Sequence, residues 1–141
     1  MTENLTEREA GQYNPLTLAF LGDSVYEVMT REKIIREAER PVSKLNELKV
    51  EKVCATYQAE VAYRISDMLT EKELAVLKRG RNATGTNVPK SADARTYRMA
   101  TGLECLFGFL YLTGNSRRLE EIFEAVWNLP EDKENNRNQM E

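Results

Sequence analysis

Residues 18–27 read LAFLGDSVYE, and one charged residue, Asp23, follows a glycine within the apolar part of this stretch. Just upstream, Pro15 suits the first position of a helix and Asn14 suits its cap. Apolar residues then recur around the whole segment until Pro41, which disfavours helical geometry in the residue before it. The pattern predicts one helix that ends before Pro41. Because this helix is apolar on most of its circumference, we expect it to lie at the centre of the core.

The sequence that follows predicts two more helices. Ser43 can cap a second helix, whose apolar spacing continues roughly through Asp67. Thr70 can cap a third and shorter helix, because Glu73 stands at the capping-box spacing and Gly80 can close the C-terminal end.

The pattern of residues 80–129 predicts a loop and two further helices. Residues 80–90, GRNATGTNVPK, are typical of a loop because they combine glycine, proline and small polar residues. Ser91 can cap a fourth helix that ends near Gly114, and residues 116–129 form a last amphipathic helix. No alternation typical of strands is present, so the predicted fold class is all-α, with about five or six helices.

A chain of 141 residues suits a single domain. We expect a flexible N-terminal segment at residues 1–13, the domain at residues 14–129 and a disordered polar tail at residues 130–141. The N-terminal residues are unlike a signal peptide, and no apolar run approaches the ~20 residues that span a bilayer. These features predict a cytoplasmic protein without a membrane partner.

The composition excludes several kinds of catalytic site. The chain contains no histidine, which rules out Ser-His-Asp and Cys-His catalysis and histidine-ligated zinc. Cys54 and Cys105 are too few for a disulfide framework or a zinc site, so we expect both to be reduced core residues. Acid–base chemistry would fall to carboxylates, lysine, tyrosine or a metal ion.

Two isolated carboxylates are the candidate catalytic and metal-binding residues. Asp23 follows Gly22, and Glu104 lies between Gly102 and Gly108 in an apolar run. Each could instead be a satisfied core carboxylate, for example one paired with an arginine. A glycine within a helix usually marks close approach by another backbone or a ligand. If the two helices cross there, the carboxylates converge into an oxygen-only site that suits Mg²⁺, with Mn²⁺ as a substitute.

Residues 78–98 carry six basic side chains against one acidic residue, Asp93, although the net charge of the chain is −3. This clustering is typical of a surface that binds polyanions, and a solvated charged loop is the alternative. Glycines and small residues allow backbone amides to approach phosphates, which favours phosphate contact. The candidate residues for binding a polyanion through its phosphates are Lys78, Arg79, Arg81, Lys90, Arg95 and Arg98.

The segments LAFLGDSVYE and LECLFGFLYL resemble the signature helix and the second acidic helix of the ribonuclease III family. The block LKRGRNATGTNVPKSADARTYRMATGLECLFGFLYL is similar to the Mini-III subfamily, whose members consist of the catalytic domain alone. The resemblance extends from about Asn14 to Leu129. By this resemblance, Asp23 matches the signature aspartate and Glu104 matches the later metal-binding glutamate.

The resemblance implies an all-α, homodimeric, magnesium-dependent endoribonuclease that cleaves double-stranded RNA and leaves 5′-phosphate and 3′-hydroxyl ends. It further implies maturation of the paired ends of the 23S ribosomal RNA precursor, with a ribosomal protein as a candidate helper. The chain departs from the family pattern where other members carry acids, because it has Leu16, Ala19 and Thr101 at those positions. We therefore expect fewer protein ligands to the metal than in classical members of the family, with water, the scissile phosphate or another side chain completing the coordination.

Two other functions are compatible with these patterns. A non-catalytic, helical adaptor for double-stranded RNA would bind duplex RNA without magnesium-dependent cleavage. A protein–protein interaction dimer with a solvated basic loop would show no salt-sensitive affinity for RNA.

Overall fold

The computed structural model describes residues 2–83, 88 and 93–128, and within this part of the chain all regular structure is helical. The all-α prediction is thus confirmed. The described residues form seven α-helices and one 3₁₀-helix, more than the five or six expected. In chain order they are α1 (Glu7–Gly11), α2 (Pro15–Glu37), α3 (Val42–Val53), α4 (Ala55–Arg64), the 3₁₀-helix (Ser66–Met68), α5 (Glu71–Arg81), α6 (Ala94–Leu112) and α7 (Ser116–Trp127).

The central helix is α6, and α2, α4 and α5 pack around it. Every residue of α6 from Met99 to Leu110 is buried except Glu104, which is partly buried. The helix begins at the Asp93 cap, whose Oδ1 accepts a hydrogen bond from the Arg95 backbone at 3.3 Å. The expected cap, Ser91, lies outside the described residues. The helix ends at Leu112, two residues before Gly114, as predicted.

Helix α2 is less central than its composition suggested. It ends at Glu37, before Pro41 as predicted, and it buries Leu18, Val25 and Tyr26 against the core. Its other face carries apolar side chains in solvent: Phe20 is 83% exposed, Val28 is 61% exposed and Ile35 is 59% exposed. The expectation that this helix lies at the centre of the core holds for one face only, because an apolar circumference does not distinguish core contacts from an apolar surface.

The single helix predicted from Ser43 through Asp67 is broken in the structure. Cys54 adopts an extended conformation, with φ −68° and ψ 151°, and separates α3 from α4. Pro41, rather than Ser43, occupies the N-cap position of α3. The break allows the two helices to take different roles, since α4 buries one face against the core whereas no residue of α3 is buried.

The predicted capping box of α5 is confirmed. Thr70 Oγ1 accepts a hydrogen bond from the Glu73 backbone at 3.1 Å, and the Glu73 side chain accepts one from the Thr70 backbone at 2.9 Å. Glu73 also pairs with Arg118 of α7 at 2.8 Å, and Arg118 donates to the Met68 carbonyl. One glutamate thus caps α5 and holds α7 against it. Arg118 keeps the pKa of Glu73 below its usual value, against the opposing effect of burial.

The segment expected to be flexible, residues 1–13, contains the helix α1, which the sequence analysis did not assign. Thr6 and Glu9 form a capping box, Ala10 is fully buried, and the Leu5 backbone N–H donates to the Leu112 carbonyl at 2.8 Å. The sequence shows no amphipathic pattern for α1, because few of its side chains contact the core. The boundaries of the domain at residues 14–129 stay a prediction, and the tail at 130–141 lies outside the described residues.

Both cysteines are free. Cys105 is buried as expected, but Cys54 is exposed because it lies at the break between α3 and α4. Among the helices of the described residues, none is both long enough and apolar enough to cross a membrane.

Candidate active site

Two glycines bring the backbones of α2 and α6 into direct contact. A Cβ atom at Gly22 would lie 1.7 Å from the Glu104 carbonyl oxygen, and one at Gly108 would lie 2.0 Å from the Leu18 carbonyl oxygen. Neither position accepts a side chain without separation of the helices. The interpretation of Gly22 as a point of close backbone approach is confirmed. Gly102, in contrast, faces α5, where a Cβ atom would lie 2.6 Å from the Leu77 carbonyl oxygen.

This crossing brings together the two carboxylates that the sequence singled out. Asp23 follows Gly22 in α2, and its side chain interacts directly with that of Glu104 in α6. Contrary to expectation, Asp23 is exposed, and Glu104 is the more buried of the two. The pair therefore has an inner member fixed in the helix packing and an outer member that faces solvent.

Glu104 holds a proton in the absence of a cation. The pKa of Glu104 is raised from 4.5 to about 9, first by burial and then by its hydrogen bond to Asp23 and the negative charge of Asp23. Burial and a neighbouring negative charge both disfavour the ionised form of a carboxyl group. Metal ligands bind in their deprotonated form, so Glu104 would have to lose this proton to hold a divalent cation together with Asp23.

Among the residues that the structure describes, Asp23 and Glu104 have no third acidic side chain grouped with them as a metal ligand. Within the described ranges, no cluster of three or more histidine, cysteine, aspartate or glutamate side chains could hold a metal ion. Ala19 precedes Asp23 by about one turn, and Thr101 precedes Glu104 by about one turn. Thr101 Oγ1 donates to the Tyr97 carbonyl at 3.0 Å. Two carboxylates with remaining positions open to water or phosphate oxygens suit Mg²⁺, which retains several waters.

Glu27, one turn after Asp23, does not join the pair. Its carboxylate pairs with Arg31 at 3.0 Å on the surface of α2. This ion pair holds Glu27 on the surface of α2, apart from the Asp23–Glu104 pair.

Gln58 is a side chain near the pair that the sequence analysis did not single out. It lies on the buried face of α4 and interacts with Glu104. The signal was available in the sequence, because a glutamine stands beside Ala59, Val61 and Ala62 on a face that is otherwise apolar.

Five of the six candidate RNA-binding residues lie within the described part of the chain, and they form two neighbouring groups near the C-terminal end of α5. One group lines an open depression of about 610 Å³, together with Tyr63, Asn82 and Asp93. The other lines a second depression, of about 650 Å³, which also includes Asn82. The first group is Arg81, Arg95 and Arg98, and the second is Lys78 and Arg79. Lys90 lies outside the described residues.

Hydrogen bonds orient two of these side chains. Arg81 Nε donates to Asn82 Oδ1 at 3.1 Å, and Arg79 Nη2 donates to the Tyr13 carbonyl at 3.4 Å. Arg79, Arg95 and Arg98 are exposed. Five of the six candidate RNA-binding residues thus line two depressions that share Asn82, and we call these five residues the basic surface around Asn82. Its guanidinium groups are suited to fork-like contacts with phosphates.

Comparisons with known proteins point to one family. The protein family described as the ribonuclease III domain matches residues 16–115 of this chain. A Mini-ribonuclease 3 of Thermoanaerobacter sp. (strain X514) is 43% identical over 87% of this chain and 87% of its own length. A Mini-ribonuclease 3 of Clostridium tetani is 41% identical over 95% of this chain and 89% of its own. The crystal structure of a Fusobacterium nucleatum protein superimposes with a TM-score of 0.74 at 30% identity, covering 82% of this chain and 93% of the other.

Proposed function

The chain belongs to the ribonuclease III family, within the group of the Mini-ribonucleases 3, and on this premise we propose that it is an endoribonuclease that cleaves double-stranded RNA at a site built on Asp23 and Glu104. The observation that carries the proposal is the direct interaction of these two carboxyl groups, which lie 81 positions apart in the chain but meet at the α2–α6 crossing. We further propose that they hold Mg²⁺, for which Mn²⁺ can substitute.

The chemistry follows from the different exposure of the two groups. Glu104, recessed in the crossing, fixes the inner side of the site, and Asp23 faces the solvent from which an RNA backbone enters. When bound, a divalent cation supplies Lewis-acid chemistry, since it lowers the pKa of water and stabilises negative charge on phosphate oxygens. Both carboxylates must be ionised to take up this charge, so Glu104 has to release the proton that it holds in the free protein.

The basic surface around Asn82 supplies affinity for RNA. A-form duplexes are recognised mainly through their shape and their phosphates, and such binding is sensitive to salt. Lys78, Arg79 and Arg81 approach from α5, and Arg95 and Arg98 approach from the start of α6. Lys90 completes this set as a prediction from the sequence.

The exposed apolar face of α2 supports a homodimer. Phe20, Val28 and Ile35 leave apolar surface in solvent on the helix that carries Asp23. A two-fold interface would bury this face against its own copy and set two sites side by side, one for each strand of a duplex. A short staggered cut follows from that arrangement. Attack of water on phosphorus with departure of the 3′ oxygen, which takes up a proton, would leave 5′-phosphate and 3′-hydroxyl ends.

The physiological substrate that we propose is the paired end region of the 23S ribosomal RNA precursor, in the cytoplasm, with a ribosomal protein as a helper. This part of the proposal rests on the family resemblance. The basic residues that the structure describes support recognition of a duplex backbone through contacts with its phosphates.

The test is cleavage of a short duplex RNA with and without Mg²⁺. Wild-type protein should cleave only with Mg²⁺, and Asp23→Asn and Glu104→Gln should each lose at least about 10²-fold in rate. Glu27→Gln is the matched control, because it removes a carboxylate on the same helix that is paired with Arg31. Mass spectrometry of the fragments identifies the ends.

The alternative, a non-catalytic adaptor, draws support from Ala19 and Thr101, which leave the site with only two carboxylates. In that case, wild-type protein would bind the duplex and leave it intact at every Mg²⁺ concentration. Equal cleavage by wild type and Asp23→Asn would instead overturn the site assignment.

A further inference from the structure

Gln58 is a buried polar residue without a structural explanation. It is 3% exposed on the face of α4 that also buries Ala59, Val61 and Ala62. Its Nε2 atom is fully buried and has no hydrogen-bond partner among the described residues. Buried amides in native proteins are normally satisfied, so an orphaned one calls for a functional reason. An apolar side chain of the same size would fill this position at lower cost.

The neighbour that explains Gln58 is Glu104. The Gln58 amide lies beside the Glu104 carboxyl group, where α4 packs against α6. In this structure its Nε2 atom forms no hydrogen bond with that group. An amide nitrogen donates and a carboxylate oxygen accepts, so the orphaned donor is chemically matched to the carboxyl group beside it.

We propose that Gln58 is a positioning residue, which donates from Nε2 to one oxygen of the ionised Glu104 carboxylate and leaves the other oxygen for the divalent cation. The proposal rests on the proposed function of the Asp23–Glu104 pair and deepens it. Ligands buried in protein are commonly oriented by a partner behind them, and removal of that partner typically lowers metal affinity about 10- to 100-fold. Here α4 supplies the partner, so three helices build the site rather than two.

The experiment measures Mn²⁺ binding to the full-length protein without RNA, by electron paramagnetic resonance of the free ion, together with urea unfolding in the absence of metal. Gln58→Met keeps the size of the side chain and removes its donors. We expect this variant to bind Mn²⁺ about tenfold more weakly, while its urea midpoint without metal equals or exceeds that of wild type. The matched control is Thr30→Val, which makes another fully buried polar side chain apolar on α2. Its Mn²⁺ affinity should be unchanged.

Each other outcome is decisive. If Gln58→Met binds Mn²⁺ as wild type does while Asp23→Asn does not, the role of Gln58 is refuted and the proposed function stands. Equal losses in Gln58→Met and Thr30→Val, or a Gln58→Met chain that fails to fold, would show that Gln58 acts through packing, and would also refute the proposal. If wild type and Asp23→Asn bind Mn²⁺ alike, or neither binds it, the proposed function fails and this inference fails with it.

Discussion

Gly22→Ala should destabilise the protein strongly, although alanine is the better helix former. In an exposed helix this change would gain about 1 kcal/mol. At Gly22, the added Cβ atom would lie 1.7 Å from the Glu104 carbonyl oxygen, 2.6 Å from its carbonyl carbon and 2.8 Å from the Gly108 nitrogen. All three are backbone atoms, so no side-chain rotation relieves the overlap. Ordinary contact begins near 3.4 Å, so the added Cβ atom and the Glu104 carbonyl oxygen would have to move apart by about 1.7 Å to reach it.

The energetic consequence follows from what lies along this crossing. A gap of 0.5–1 Å already forfeits a quarter to a half of the dispersion energy between facing atoms. The buried side chains along the crossing include Leu18, Tyr26 and Phe107, and the rings of Tyr26 and Phe107 pack edge to face at 5.3 Å. We expect a loss of about 3 kcal/mol or more in the free energy of unfolding, at the upper end of overpacked cores. Cleavage should fall as well, because Asp23 and Glu104 move apart.

Urea unfolding followed by circular dichroism measures this loss. Gly11→Ala is the matched control, since a Cβ atom there meets nothing within 4 Å and φ is not positive. The control should lie within about 1 kcal/mol of wild type. A Gly22→Ala protein that fails to fold while Gly11→Ala folds agrees with the prediction. A Gly22→Ala protein within about 0.5 kcal/mol of wild type would refute the close contact of the two helices.

Three further predictions concern charge and assembly. Glu104→Gln should stabilise the metal-free protein by up to about 4–5 kcal/mol at pH 8 and by about 1 kcal/mol or less at pH 5. The reason is that native Glu104 keeps its proton up to a pKa of about 9 whereas the unfolded group loses it near 4.5, so wild-type stability falls as the pH rises between these values. Urea unfolding in EDTA across this range measures the difference. Phe20→Glu should convert a wild-type dimer into a 16.2 kDa monomer in light scattering, because it places a charge on the exposed face of α2. Arg98→Gln should weaken binding to duplex RNA and reduce the slope of log affinity against log salt by about 1, as measured by fluorescence anisotropy.

Each of these predictions has a contradicting result. A wild-type stability that stays flat or rises between pH 5 and pH 8 in EDTA, with Glu104→Gln parallel to it, would contradict the raised pKa of Glu104. A monomeric wild-type protein at micromolar concentration would remove the support that the α2 face gives to a dimer. An Arg98→Gln protein with an unchanged salt slope would exclude contact between this guanidinium and RNA, and Arg117→Gln, in the first turn of α7, is the comparison.

The features that could be read from the sequence are those set by local chemistry or by the backbone. The capping box of Thr70 and Glu73 needs only residues three apart, so it was predicted correctly. The same holds for the end of α2 before Pro41. The meeting of Asp23 and Glu104 was foreseen because a glycine within a helix indicates where another backbone passes.

The features that could not be predicted from the sequence depend on how the helices pack against one another. The spacing of apolar residues runs through Cys54 without a gap, so the break between α3 and α4 leaves no periodic signal. The exposure of Asp23 and Phe20 depends on which side of α2 faces the core, and an apolar circumference does not determine that. The contact between Gln58 and Glu104 could not be predicted, because it depends on the packing of α4 beside α6.

The central claim is that Asp23 and Glu104 together bind one divalent cation, and anomalous diffraction from crystals grown with Mn²⁺ tests it most directly. The account predicts an anomalous peak between the two carboxylates, within about 2.3 Å of an oxygen of each, and its loss in crystals of Asp23→Asn. A map without a peak at this position, or with the ion bound elsewhere while Glu104 still donates its proton to Asp23, would contradict it.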